Sequence, residues 1–160
     1  MRHGPSSTSE RPAMEDLEIL MRLGLAAIAG AAIGLNRDLH GKAAGVRTLG
    51  TVSLGSALLV IAGMNFSATH EGSDVSRIIQ GIITGIGFLG AGVIVHQKDN
   101  TVTLGLTTAA CIWLSSGIGI ACGVGAWRLL LISLPLIFLI LTLGGPLEKA
   151  VHQWWDKMKS

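Results

Sequence analysis

Asp74, Arg77 and Gln80 open an apolar, glycine-rich run that extends to Val95. At i, i+3 spacing they lie along one face of a helix. Ionisable groups beside an apolar run are costly and face a protein interior or water, so this trio could hold a cation or a proton at Asp74. The plainer reading makes Ser73 or Asp74 a helix cap and Arg77 a snorkelling side chain. A second polar block runs from Asn36 to Thr48 and carries Arg37, Asp38, Lys42 and Arg47 between two apolar runs. Gly41 and Gly45 allow a sharp turn within it. Asp38 is placed to pair with Arg37 or with Arg47 and close a polar cluster at a membrane mouth. Alternatively, the basic residues meet lipid phosphates.

Other chemistries find little support. His3, His40, His70, His96 and His152 are scattered at ends and gaps, without metal-ligand spacing. There is no Ser–His–Asp arrangement and no phosphate loop followed by Lys-Ser/Thr. Asp38 and Asp74 are too few oxygen ligands for a dedicated divalent-cation cage in one chain. No catalytic residue, metal site or cofactor is therefore expected, and no basic aromatic patch points to nucleic acid. Cys111 and Cys122 fall on one predicted helix, roughly 16 Å apart at about 1.5 Å per residue, beyond disulfide reach.

The elements that would position these residues are membrane helices. Mean hydropathy is +0.58. Charged residues make up 14% of the 160 residues, and glycine accounts for 22. Glycines this dense cost stability in water-soluble helices, but in a bilayer they let helices approach closely. At about 20 residues per span, the length suits four to six crossings. Five apolar runs emerge, at about Leu17–Leu35, Thr48–Phe66, Arg77–Val95, Val102–Val124 and Trp127–Leu143. Arg22 snorkels near the start of the first, and Pro135 kinks the fifth.

The expected fold is all-α: a polytopic bundle of about five transmembrane helices over residues 14–145, followed by a C-terminal amphipathic helix. Residues 1–13 read as a flexible leader, with Met14 as an alternative start. No cleavable secretory signal is recognisable. In the tail, residues 146–160, Leu147, Val151, Trp154, Trp155 and Met158 recur at helical spacing among charges. That pattern fits an interfacial helix, or else a frayed polar end. Lysines and arginines favour an outside N-terminus and a cytoplasmic C-terminus, with seven on one side against five on the other.

Small residues recur at i, i+4. The ridge on the fourth run is Thr103, Thr107, Cys111, Ser115, Gly119 and Gly123. On the first run it is Ala26, Gly30 and Gly34. The third run adds Gly81, Gly85, Gly87, Gly90 and Gly92. Such ridges pack helices tightly, while Thr107, Thr108 and Ser115 could instead line a substrate path.

Three strings occur in order: GAAIGLNRDLHGKAAGVRTLG (Gly30–Gly50), SDVSRIIQGIITGIGFLGAGVIV (Ser73–Val95) and TLGLTTAACIW (Thr103–Trp113). Together they resemble the MgtC/SapB family of bacterial inner-membrane proteins and cover most of residues 17–125. Where that family usually has an acid before the first arginine, this chain has Asn36, and Asp38 keeps a carboxylate two residues later. The resemblance implies a five-helix multi-pass domain of the inner (plasma) membrane with its N-terminus outside, of the short SapB type without the soluble domain of MgtC members. It also implies a link to low magnesium, acid stress and virulence inside macrophages. By the same resemblance, MgtC members look like regulators that bind other membrane proteins, the F-type ATP synthase among them. An older label ties the family to magnesium transport. The expected role is a non-enzymatic regulator working as a homo-oligomer, with a dimer favoured, or with other inner-membrane proteins. The competing expectation is a small Mg2+, K+ or H+ transporter or channel.

Overall fold

The structure, a computed structural model, describes residues 14–69, 75–96 and 103–159. It contains α1 (Asp16–Leu39), α2 (Val46–Thr69), α3 (Val75–Val93), α4 (Leu106–Val124) and α5 (Trp127–Lys159). A two-residue antiparallel pair, Val95–His96 (β1) with Thr103–Leu104 (β2), joins α3 to α4. All five helices are long and apolar enough to cross a membrane. Even α3 and α4, at 19 residues each, reach about 28 Å, close to the ~30 Å hydrocarbon thickness. The chain is a polytopic helical membrane protein.

Local chemistry sets the helix ends. Asp16 and Glu18 sit in the first turn of α1 and Arg37 in its last, matching the helix dipole at both ends. The loop to α2 turns through Gly41 at φ 62° and Ala44 at φ 59°. Gly45 does not take up a positive φ. Its role is close approach, because a Cβ there would collide with the Asp38 carboxylate. Left-handed glycines flank α4, Gly105 at φ 91° and Gly125 at φ 76°.

The core belongs to α1, α2 and α4, with α2 packed against both of the others. Its buried residues are mostly small or β-branched: Ala26 and Ile33, Ala57 and Val60, Cys111 and Cys122. Large aliphatics such as Leu25, Ile28, Leu131 and Ile140 lie on the outside. Hydrocarbon accepts that arrangement without penalty, so tight contact between small residues holds the helices together instead.

Two expectations change. The tail is not a separate element: α5 runs unbroken through Pro135 and Pro146 to Lys159. The fourth-run ridge is also shifted. Thr107 is exposed, whereas Thr108, Cys111, Ser115 and Gly119 are buried. At about 100° per residue, Thr107 lies about 80° off the Ser115 direction and Thr108 only about 20°.

Candidate functional site

Two arginines of α1 grip the two ends of α4. Near the start of α1, Arg22 donates from Nη1 to the Gly123 carbonyl at 2.5 Å. It also donates from Nη2 and Nε to Glu18 Oε1, at 2.5 and 3.1 Å. It does not snorkel outward; its side chain is 11% exposed. Near the other end, Arg37 Nη2 donates to Thr108 Oγ1 at 2.6 Å. Its Nε and Nη2 also donate to the Ala43 carbonyl, at 3.2 and 3.0 Å. The arginines are fifteen residues apart on α1, and their targets, Thr108 and Gly123, are fifteen apart on α4. Both intervals rise about 22 Å, so the two contacts fix an antiparallel register.

The two ends differ in charge balance. Arg22 meets the negative end of the α4 dipole and a carboxylate. Arg37 reaches the third residue of α4, near its positive end, and no carboxylate lies within salt-bridge distance among the described residues. Only 5% of Arg37 is exposed.

Asp38 pairs with neither Arg37 nor Arg47, which corrects both expectations. Consecutive residues point about 100° apart on a helix, so Asp38 faces away from the core while Arg37 faces in. Asp38 Oδ2 instead accepts the Val46 backbone N–H at 3.0 Å and satisfies the start of α2. Arg47 and Lys42 are exposed. Asn36 is half-buried, and its carbonyl lies 2.7 Å from His40 Nδ1.

Between α2 and α4 lies a set of buried hydroxyls. Ser115 Oγ donates to the Leu49 carbonyl at 2.7 Å. Ser56 and Ser116 share a 3.0 Å hydrogen bond. Ser53 Oγ is enclosed without a partner. Thr108 and Ser115, the two buried candidates for a path, are thus both engaged within the chain. The serines Ser53, Ser56 and Ser116 escaped the sequence reading, although Ser53 and Ser56 stand on the Leu49–Val60 stripe of α2 and Ser116 adjoins the α4 ridge. Arg22 was signalled by Glu18 four residues earlier, the favourable order for a helical ion pair.

The glycines divide into two groups. A Cβ on Gly30 would come within 2.5 Å of the Leu49 carbonyl oxygen, and one on Gly34 within 2.6 Å of the Gly45 backbone. A Cβ on Gly119 would collide with the Ser53 carbonyl. By contrast, a Cβ on Gly81, Gly85, Gly87 or Gly92 would meet nothing within 4 Å among the described residues, and one on Gly90 would make ordinary contact with Ala109. On α3 the isoleucines (Ile78, Ile82, Ile86) turn towards α2 and α4. Gln80, Gly81, Thr84, Gly85 and Gly92 turn outwards. Arg77 and Gln80 are exposed, and Asp74 lies outside the described residues. Beside this face an open groove of about 580 Å³ separates α2 from α3, with Thr51, Gly55, Gly81 and Gly85 in its walls. Among the described residues, no three His, Cys, Asp or Glu side chains gather into a metal-binding group.

The model of the MgtC family matches residues 23–150. The chain belongs to the MgtC family. It is 40% identical to Protein SrpB of Synechococcus elongatus over 155 residues, covering 89% of this chain and 84% of that protein. It is 45% identical to the "Putative magnesium transporter YhiD" of Escherichia coli over 117 residues, covering 70% of this chain and 54% of that protein. Protein MgtC of Salmonella typhimurium is 40% identical over 109 residues, covering 68% of this chain and 45% of that protein. The chain thus spans about half the length of the latter two relatives. No solved structure matches it with significance. The MgtC match takes in Arg37, Asp38, Thr108 and the α3 glycines, whereas Glu18 and Arg22 precede it.

Proposed function

We propose that this MgtC-family protein is a non-enzymatic regulator of the bacterial inner membrane that acts by helix association with other membrane proteins or with a second copy of itself. It would serve adaptation to low magnesium, acid stress or a host, with its N-terminus outside and its C-terminus cytoplasmic.

One observation carries this reading. Lipid-facing α1 and α5 present leucine and isoleucine outwards, whereas α3 sets Gln80, Gly81, Thr84, Gly85 and Gly92 beside its exposed Phe88 and Leu89. Small and polar residues gain little from lipid and much from close approach of another helix. Pairwise crosslinking from cysteines placed at Thr84 and Ala91, in native membranes, tests it. Crosslinks to a second copy or to another membrane protein, lost in Gly85→Leu while the chain stays folded, are expected. A folded Gly85→Leu that crosslinks and functions normally defeats it.

The name of the Escherichia coli relative, "Putative magnesium transporter YhiD", supports a second reading, an oligomeric ion transporter using Asp74, Arg77 and Gln80. Flux of magnesium, potassium and protons into proteoliposomes, beside Asp74→Asn, separates the two. Saturable flux that the variant loses makes the protein a transporter.

A further inference from the structure

The open groove between α2 and α3 and the aromatic ring at its lip complement each other. We propose that two copies of this chain pair about a two-fold axis along the membrane normal, with Phe88 of each copy seated in the α2–α3 groove of the other. This pairing rests on the regulatory reading above and names a second copy as the partner of α3.

The groove suits a rigid occupant. It encloses about 580 Å³, with Gly55 of α2 and Gly81 and Gly85 of α3 in its walls. A Cβ on any of the three would meet nothing within 4 Å. Each glycine inside a helix costs about 1 kcal/mol relative to alanine. A flexible acyl chain fits around an alanine methyl, so lipid gives no reason for three glycines there. A planar ring entering between the helices does. Phe88 is 83% exposed, the most exposed large apolar side chain among the described residues. It stands three residues from Gly85 and seven from Gly81, on the same side of α3.

Depth selects a second copy as the occupant. Two copies inserted in the same sense are related by an axis along the membrane normal, so each residue lies at the same depth in both. Phe88 can then enter only a hole at its own level. α2 and α3 run antiparallel, and the Ile78 side chain reaches Gly63. Eight residues on from each, about 12 Å along the helices, Gly55 comes level with Ile86. Gly55 and Gly85 thus flank the groove within about 5 Å of the depth of Phe88. Self-recognition requires this match, and no other partner does. Gln80 and Thr84 are exposed two turns and one turn before Phe88. Each both donates and accepts, so each can pair with its own counterpart across the axis. Arg77 lies in the first turn of α3, at the aqueous rim, where water and salt screen its like charge. The α2–α3 face is about 28 Å long and roughly 20 Å wide. A symmetric pair would bury about 1,100 Å² in all, above the about 1,000 Å² of a specific interface.

The test co-expresses two differently tagged full-length copies, one carrying Phe88→Cys and the other Gly55→Cys, and oxidises them in native membranes. A disulfide-linked mixed pair is expected, and none when Leu131→Cys on the outer face of α5 replaces Phe88→Cys. Energy transfer between labelled copies in phosphatidylethanolamine–phosphatidylglycerol vesicles then measures association. Phe88→Ala and Gly55→Leu should each weaken it at least tenfold, while Leu131→Ala leaves it within twofold. If Gly55→Leu does not fold, Phe88→Ala decides, because that side chain is almost wholly exposed within one copy. Absence of the mixed disulfide, or association that Phe88→Ala leaves within twofold, overturns the proposal. Crosslinks from Phe88→Cys to a different membrane protein alone also overturn it, yet spare the regulatory reading. Pairing as expected, in a protein whose loss leaves growth at low magnesium and acid pH unchanged, upholds the proposal and defeats that reading.

Discussion

Adding one methyl group at Gly119 and one at Gly85 should have opposite effects, although both glycines lie on membrane helices. At Gly119 the new Cβ meets the Ser53 carbonyl carbon and Ser56 Cβ at 2.8 Å. Ordinary contact begins near 3.4 Å, so clearing these two carbons alone parts α2 and α4 by about 0.6 Å, and clearing the still nearer Ser53 carbonyl oxygen requires more, because no flexible side chain can yield instead. Overpacking of this kind costs about 1–3 kcal/mol. Parting the helices also stretches the Ser115–Leu49 bond at 2.7 Å and the Ser56–Ser116 bond at 3.0 Å, each contributing about 1 kcal/mol. Alanine returns about 1 kcal/mol in helix propensity. The net loss for Gly119→Ala is then about 2–4 kcal/mol, or roughly thirtyfold to a thousandfold in the folding equilibrium. At Gly85 nothing lies within 4 Å, so Gly85→Ala should be neutral or gain up to about 1 kcal/mol. Reversible unfolding in mixed dodecylmaltoside–SDS micelles, followed by tryptophan fluorescence, measures both. Equal stability of Gly119→Ala and wild type, or an equal loss in Gly85→Ala, would refute the packing argument.

Ser115→Ala should cost about 1 kcal/mol by leaving the Leu49 carbonyl short of a donor. Ser53→Ala should cost nothing or stabilise, since its hydroxyl is enclosed without a partner; the same micelle titration ranks them. Asp38→Ala should lose about 1 kcal/mol through the unsatisfied start of α2, and hydrogen exchange at Val46 should rise with it. Cys111 and Cys122 are both buried and free, so the folded protein should resist maleimide and form no intrachain disulfide under oxidant. Rapid labelling of either thiol would contradict the three-helix core.

Much of the fold was legible in the chain. Five apolar runs about 20 residues long leave a bilayer-spanning helix as the way to satisfy every backbone group in lipid. Their observed bounds moved by a few residues, except at α5, which continues past Leu143 through the tail to Lys159. The stripe of α4 was nearly right, but an i, i+4 ladder drifts around the axis, so Thr108 replaced Thr107.

The sequence by itself determined the class of protein, the number of spans, and the residue types at which helices approach closely. Those properties follow from local periodicity and from the solvation cost of an exposed backbone in hydrocarbon. Which glycines meet a neighbour was decided only by the tertiary structure: Gly30, Gly34 and Gly119 do, whereas Gly81, Gly85 and Gly92 have identical chemistry and face outwards. The partners of Arg22, Arg37 and Asp38 were decided in the same way. Pairing Thr108 with Arg37 joins residues 71 apart in the chain. Such a contact depends on the register in which α1 meets α4, and no spacing within either helix encodes that register.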